Sequence, residues 1–365
     1  MKLRRKLARI AAARVPLSAL LRRLPPGPIG FFYHLVSDDR LAHVSHLYAY
    51  KSTAEFEADL VFLKRHFTLV GYPALVEAQN GRALNGVEAP PQLRSARQPL
   101  PEREAYLSFD DGFTECYTEI RPRLLAHNIP AIFFLPTDVL DNRAMLYRCK
   151  ISLCLDRLER RVDAGADAGA SSEARAVADD FLDRAAAVAG RAFSSGNEFG
   201  IWLRERQQVD EALLDQICGL CGVDLPGFLQ RKKPFLTTEQ IRQMQAEGFT
   251  FGAHSRKHAK LGLLPRAEQA AEIVESCRIV SALTGTEQVP FAFPFSGNGV
   301  DRNFLDDLQK GHPVIGQIFD SQRLAREPGV RHRIWADRPV RGIPAGSNLE
   351  YWLRDAYVRT LSPPA

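Results

Sequence analysis

Two adjacent carboxylates, Asp110 and Asp111, close an apolar run (Ala105-Tyr-Leu-Ser-Phe109) and are followed at once by Gly112. Like charges at one strand end repel, so a fold keeps both where something compensates, and a divalent cation does so. Gly112 permits the sharp turn that brings both side chains to one point, although an Asp-Gly turn capping the next helix would carry the same letters. A second apolar run, Phe249-Thr-Phe-Gly-Ala253, leads straight into His254, with His258 four positions on. That spacing sets two imidazoles on one side of a helical turn and can present two nitrogens to one metal, although two surface histidines would read alike. Together with one carboxylate they make a three-ligand set with an open position, the pattern of a catalytic zinc. A third run, Phe291-Ala-Phe293, breaks at Pro294 and Phe295 into the Gly-rich loop Ser296-Gly-Asn-Gly299. Such a loop can aim backbone N–H groups and aromatic faces at a ligand, and an ordinary loop would look the same.

All three clusters begin where an apolar run stops, the end of the strands at which parallel α/β folds build their sites. The elements behind them are short apolar strands alternating with helical patterns, the mark of βαβ units. Ile29–Val36, Ala105–Phe109, Pro130–Pro136, Phe249–Ala253, Pro290–Phe293 and Val314–Phe319 read as strands. Glu55–Phe67, a stretch ending at Leu125, Thr238–Glu247, Arg266–Leu283 and Arg302–Gln309 read as helices. From about 146 to 233 the rhythm changes to Ala-, Arg- and Asp-rich helical stretches without a strand, which reads as an insertion, and residues 80–104 read as a surface loop.

The 365 residues, 45% apolar and 25% charged, suit a soluble globular protein and exclude disordered, collagen-like and multi-span membrane classes. Residues 1–24 hold eight basic side chains and no acid, so the +5 of the whole chain becomes −3 for the remainder. The basic character belongs to a tail, which argues against a nucleic-acid surface. Leu3, Leu7 and Ile10, then Leu17, Leu20, Leu21 and Leu24, form apolar stripes between those charges. The pattern suits either a helix on an anionic membrane face or one packed on the body. It shows no cleavable signal, and it is too short to span a bilayer. The six cysteines read as reduced, packed thiols, with a four-cysteine zinc site as the lesser alternative.

In this order the motifs resemble those of the polysaccharide deacetylase family (carbohydrate esterase family 4, the chitooligosaccharide deacetylase-like proteins). Ser108-Phe-Asp-Asp-Gly112 is similar to the family's Ser/Thr-Phe-Asp-Asp-Gly motif, His254-Ser-Arg-Lys-His258 to its His-Ser/Thr-x-x-His motif, and Phe293-Pro294-Phe295 to its third, Pro-aromatic motif. The resemblance covers roughly residues 28–145 and 234–340. It implies an α/β fold, a distorted (β/α)7-type barrel, spanning 28–365 with a helical insertion at about 146–233 and preceded by a basic amphipathic segment at 1–27. It further implies Asp111, His254 and His258 as metal ligands and Asp110 as general base, with Phe293, Pro294 and Phe295 lining the substrate and the oxyanion. The metal expected is zinc, other divalent transition metals being possible occupants.

Two departures stand out. No Leu-His strand occurs near the C-terminus to supply a general acid, whereas the first strand ends in Phe32-Tyr33-His34. This is similar to circularly permuted members, in which His34 becomes the acid, with His312 and His332 as weaker substitutes and a core histidine as the bland alternative. The arginine that orients the base in the third motif is also missing, replaced by the Ala292-Phe293 region. His43, His46, Tyr48 and Lys51 read as solvated loop residues on the active face, with contact to a sugar or its phosphate as the alternative, and Ser255 as a local turn cap.

The resulting expectation is a hydrolase of carbon–nitrogen bonds other than peptide bonds. It would remove N-acetyl groups from amino sugars of a surface polysaccharide or lipid-linked precursor, as in exopolysaccharide biosynthesis. A metal-dependent amidase on a non-sugar amide and a non-catalytic glycan-binding relative are the alternatives. The expected partners are an N-acetylated glycan and, through residues 1–24, an anionic membrane, with no nucleic acid. The expected location is the cytoplasm at the inner membrane face, with the periplasm as the other option.

Overall fold

The computed structural model of the chain describes residues 15–24, 26–79, 103–165, 172–321, 324 and 327–360. The stripe Leu3, Leu7 and Ile10 and most of the loop expected at 80–104 lie outside the described residues.

Among the described residues eight strands form: β1 (Ile29–Tyr33), β2 (Thr68–Leu69), β3 (Glu104–Phe109), β4 (Ala131–Leu135), β5 (Thr250–Ala253), β6 (Val289–Ala292), β7 (Ile315–Asp320) and β8 (Val330–Trp335). β1 pairs with β3 from Ile29↔Ala105 to Tyr33↔Phe109, and on its other side with β8 from Gly30↔Arg333 to Phe32↔Trp335. The remaining strands follow in chain order, so seven parallel strands close into a (β/α)7-type barrel, and short β2 adds only to the start of β3. Parallel strands covered on both faces need apolar residues throughout, which is why Ile-Gly-Phe-Phe-Tyr and Ala-Ile-Phe-Phe-Leu are buried at every position.

Alternation sorts the two faces. Phe31, Tyr33, Leu107, Phe109, Phe133, Leu135, Phe251, Phe291 and Ile318 pack outward into the main core. The alternate set, Tyr106, Ile132, Phe134, Ala292 and Phe319, packs inside the ring with Tyr72 and Leu75. Gly252 is required there, because a Cβ would lie 2.6 Å from the Phe134 ring and from the Pro290 carbonyl oxygen.

The helices are α1 (Leu17–Arg23), α2 (Thr53–His66), α3 (Tyr72–Gln79), α4 (Arg121–His127), α5 (Tyr147–Gly165), α6 (Ser172–Ala189), α7 (Gly196–Arg204), α8 (Glu211–Leu220), α9 (Leu225–Lys232), α10 (Thr238–Ala246), α11 (Arg266–Thr284), α12 (Arg302–Gly311) and α13 (Asn348–Thr360). Capping boxes at Ser52/Glu55 and Thr237/Gln240 start α2 and α10 by satisfying the first backbone donors. Helices α5–α9 make up the insertion and build a core of their own around Ile151, Cys154, Phe199, Trp202, Leu214 and Ile217. A second cluster, including Leu35, Val44, Phe113, Leu146, Leu153 and Phe235, joins it to the barrel.

All six cysteines are buried thiols outside any disulfide. Cys154, Cys218 and Cys221 share the insertion core while Cys149 lies in the joining cluster, so the four do not assemble a zinc site. In α1, Leu20 is fully buried and Leu24 nearly so, and Arg103 donates to the Leu24 carbonyl, so the second leucine stripe packs on the body. No single helix among the described residues is long and apolar enough to cross a membrane.

Candidate active site

The site lies at the C-terminal ends of the strands. Asp110 and Asp111 follow β3, where φ of 72° at Asp111 and 61° at Gly112 turn the chain so sharply that both carboxylates face the barrel mouth. His254 follows β5 and donates from Nδ1 to the Ala292 carbonyl at 2.9 Å, which fixes its tautomer and leaves Nε2 with a lone pair. The two histidines do not sit on a helical turn, as their spacing suggested. They lie in a loop whose left-handed residues, Ser255 (φ 60°) and His258 (φ 57°), fold the rings to 5.0 Å between centroids. Ser255 Oγ is buried and caps nothing.

His258 Nε2 is 3.0 Å and His254 Nε2 is 3.5 Å from Asp111 Oδ1, and one ligand atom from each residue lies within 4.8 Å of the others. Burial pushes the Asp111 carboxyl up, but the two imidazoles outweigh it and hold it well below the ordinary carboxylate value. Burial pulls His258 down, favouring the neutral ring that can ligate. Asp111 Oδ1 and His258 Nδ1 have no hydrogen-bond partner despite full burial. An orphaned carboxylate oxygen buried beside two imidazole Nε2 atoms fits a bound divalent cation.

Asp110 is oriented by a residue that the sequence reading did not find. Arg333 of β8 donates from Nη1 to Asp110 Oδ1 at 2.7 Å and from Nη2 to Oδ2 at 2.9 Å, and also to Ser108 Oγ at 3.0 Å. Its guanidinium lies over Phe32 and Phe134, 4.6 and 5.0 Å from the ring centroids, so the arginine missing from the third motif has a counterpart on another strand. Arg331, His332 and Arg333 stand in a row in β8, and alternation turns Arg333 into the barrel. His332, on the opposite face, pairs with Glu327 at 2.7 Å, and neither it nor His312 lines the cavity.

His34, directly after β1, reaches the same mouth. Its Nδ1 is hydrogen-bonded to Asp337 Oδ2, its backbone N–H donates to Asp337 Oδ1 at 2.9 Å, and Trp335 Nε1 donates to Asp337 at 2.8 Å. Burial alone would lower the imidazole, but Asp337 overrides it and raises His34 from 6.5 to about 9. Asp337 is a second orienting residue not anticipated from the sequence; the pattern Trp335-Ala-Asp337, just after an Arg-bearing strand, is its one signal.

These groups line a cavity of about 310 Å³, which also takes in Phe293, Phe295, Tyr48, Leu47, Arg148 and Trp335. Phe295 is 40% exposed and stands edge-on to His258, with centroids 4.9 Å apart. Pro294 makes the bend that presents it, accepting a hydrogen bond from Ser296 N–H at 2.7 Å. The loop residues read as solvated are not so. Tyr48 packs on the His34 ring at 4.7 Å, Lys51 is fully buried against Asp59, His43 lies between Phe113 and Phe228, and His46 docks on the insertion through Ser152. The insertion covers His43, His46 and Tyr48, whereas Lys51 is buried between α2 and β1.

A family model described as polysaccharide deacetylase matches residues 222–311, the segment with both histidines and the Phe293–Phe295 bend. No curated protein sequence matches the chain. Among solved structures it resembles the Streptococcus pyogenes deacetylase PplD in complex with acetate (TM-score 0.51, 11% identity, 90% of this chain and 99% of that one). It also resembles IcaB from Ammonifex degensii (TM-score 0.50, 14% identity, 91% and 98%). At such identities these likenesses establish the barrel fold. Residues 222–311 of that barrel are what matches the polysaccharide deacetylase family.

Proposed function

We propose that this enzyme removes N-acetyl groups from amino sugars of a surface polysaccharide or a lipid-linked glycan precursor. The observation that carries the reading is the meeting of Asp111, His254 and His258 in one cavity with Asp110 and His34. Asp111 and the Nε2 atoms of the two histidines would hold a divalent metal, zinc first. When bound, it supplies Lewis acidity and lowers the pKa of water toward about 7.

Asp110, its two oxygens gripped by Arg333, is positioned to take the proton of the attacking water. His34 holds a proton that Asp337 stabilises, and delivers it to the leaving amine as the C–N bond breaks, releasing acetate and the free amino sugar. The Phe295 N–H, which meets no acceptor among the described residues, is the donor suited to the developing oxyanion. Phe293, Phe295 and Trp335 give the cavity apolar faces on which a sugar ring can lie.

Acetate release from N-acetylglucosamine oligomers, with and without a chelator, tests the reading. Release that is lost with chelator and restored by zinc is expected, and release indifferent to the chelator overturns it. The basic residues before α1 support attachment to the inner membrane face. Neutralising Lys2, Arg4, Arg5 and Lys6 should abolish flotation with anionic liposomes, whereas equal flotation would refute the attachment.

A further inference from the structure

We infer that Arg148 makes the cavity selective for an N-acetyl sugar that bears, or is joined directly to, an anionic group, a carboxylate or a phosphate. The inference rests on the deacetylase reading above and names its substrate class.

The charged walls of the cavity are otherwise matched. Asp110 faces Arg333, His34 faces Asp337, and Asp111 sits between two imidazoles. Arg148, on the first turn of α5, lines the same cavity and has no carboxylate partner among the described residues. Its guanidinium lies over Phe295 at 5.9 Å from the ring centroid, the outer limit of a cation–π contact. Arginines nearby behave differently. Arg40 is taken up by Asp156 and Glu159, Arg143 by the Leu140 and Thr137 carbonyls, and Arg302 by Asp320 and Glu327.

A guanidinium cannot shed its charge, and a half-buried one without a counter-ion is disfavoured unless a ligand supplies it. The planar fork of donors matches a carboxylate or phosphate in two-point fashion, which a neutral sugar hydroxyl does not. The cavity is at the small end of the roughly 300–1,000 Å³ typical of ligand sites. A single sugar therefore fills it, and the group attached to that sugar falls at the half-exposed Arg148–Phe295 edge. Arg148 comes from the insertion, as do Leu146 and Cys149 at its border, so the barrel alone would lack this subsite.

The test compares the metal-loaded full chain on three substrates. These are a neutral N-acetylglucosamine tetramer, a tetrasaccharide alternating N-acetylglucosamine with glucuronate, and N-acetylglucosamine 1-phosphate. We expect kcat/KM on at least one anionic substrate to exceed that on the neutral one by about tenfold, the equivalent of one charge-assisted contact, with the difference in KM. The arm that shows it identifies carboxylate or phosphate as the source. Arg148→Gln should bring the ratio close to one, and Arg148→Lys should retain part of it. A wild-type ratio of one, or an Arg148→Gln loss equal on all three substrates, overturns the inference and makes Arg148 a clasp on Phe295. Calorimetric binding to the Asp110→Asn protein separates the two readings. Arg148-dependent binding of anionic sugars without hydrolysis by the wild type would sink the deacetylase reading and keep the anion subsite, whereas hydrolysis without such binding would do the reverse.

Discussion

Arg333 and Asp110 meet through two parallel hydrogen bonds, at 2.7 and 2.9 Å, across 223 positions of sequence and with both side chains sealed from solvent. The two-point fork from Arg333 fixes the plane of the carboxylate, so the direction of the proposed base is set by that contact.

Replacing Arg333 with Met should therefore damage stability as well as rate. Removing one partner of a buried pair costs about 3–5 kcal/mol. The Asp110→Asn, Arg333→Met double variant should recover a large part of that loss in urea midpoint, because no charge is left unpaired. Additive losses in the double variant would show that the two residues are not energetically coupled.

Asp110→Asn alone should lower acetate release by about 10²–10⁴ while bound zinc, measured by elemental analysis, stays stoichiometric. His258→Ala should show the opposite pattern, with metal lost first and activity with it. Zinc retained in full by His258→Ala would remove that residue from the ligand set.

In the proposed mechanism the protonated form of His34 is the acid, so turnover should fall as pH rises through its value of about 9. Burial lowers this imidazole and Asp337 is what raises it. Asp337→Asn should therefore move the alkaline limb of the kcat/KM profile to lower pH, and an NMR titration of the His34 ring should move with it. A limb that stays in place in Asp337→Asn would take the acid role from His34.

His43 offers a test of folding at a distance from the chemistry. Burial between Phe113 and Phe228, with Lys232 nearby, lowers it from 6.5 to about 4. The unfolded chain takes up the proton first, so stability should drop as pH falls from about 6.5 to 4, by roughly 3 kcal/mol in all. His43→Gln should flatten that part of the curve in denaturant titrations. Identical slopes for variant and wild type would mean that His43 is not held neutral.

How much of this was legible in the sequence depended on where each residue's partner lies. Asp111, His254 and His258 were readable because each follows an apolar strand directly, and strand ends gather at one mouth of a parallel barrel. His34 was readable for the same reason. Arg333 and Asp337 were not, because Arg331, His332 and Arg333 stand in a row and leave Val330–Trp335 without the apolar run that marks a buried parallel strand. Only Asp110, supplied by β3, makes it tolerable to bury Arg333. The His254/His258 spacing pointed to a helical turn because two left-handed residues between strand and helix leave no mark when neither is glycine. Tyr48 and Lys51 looked solvated because polar letters reveal neither the insertion that covers Tyr48 nor Asp59, the buried partner of Lys51.

β1 is the seam of the ring, bridging β3 on one side and β8 on the other. During synthesis its first neighbour emerges early, but its second is made some three hundred residues later. At about 5–20 residues per second the ribosome leaves that edge open for roughly 15–60 s. Through that interval the nascent chain exposes an uncovered, aromatic-rich strand, and both Arg333 and Asp337 arrive only as the gap closes. The enzyme thus gains its catalytic geometry and loses its most aggregation-prone edge in one late event.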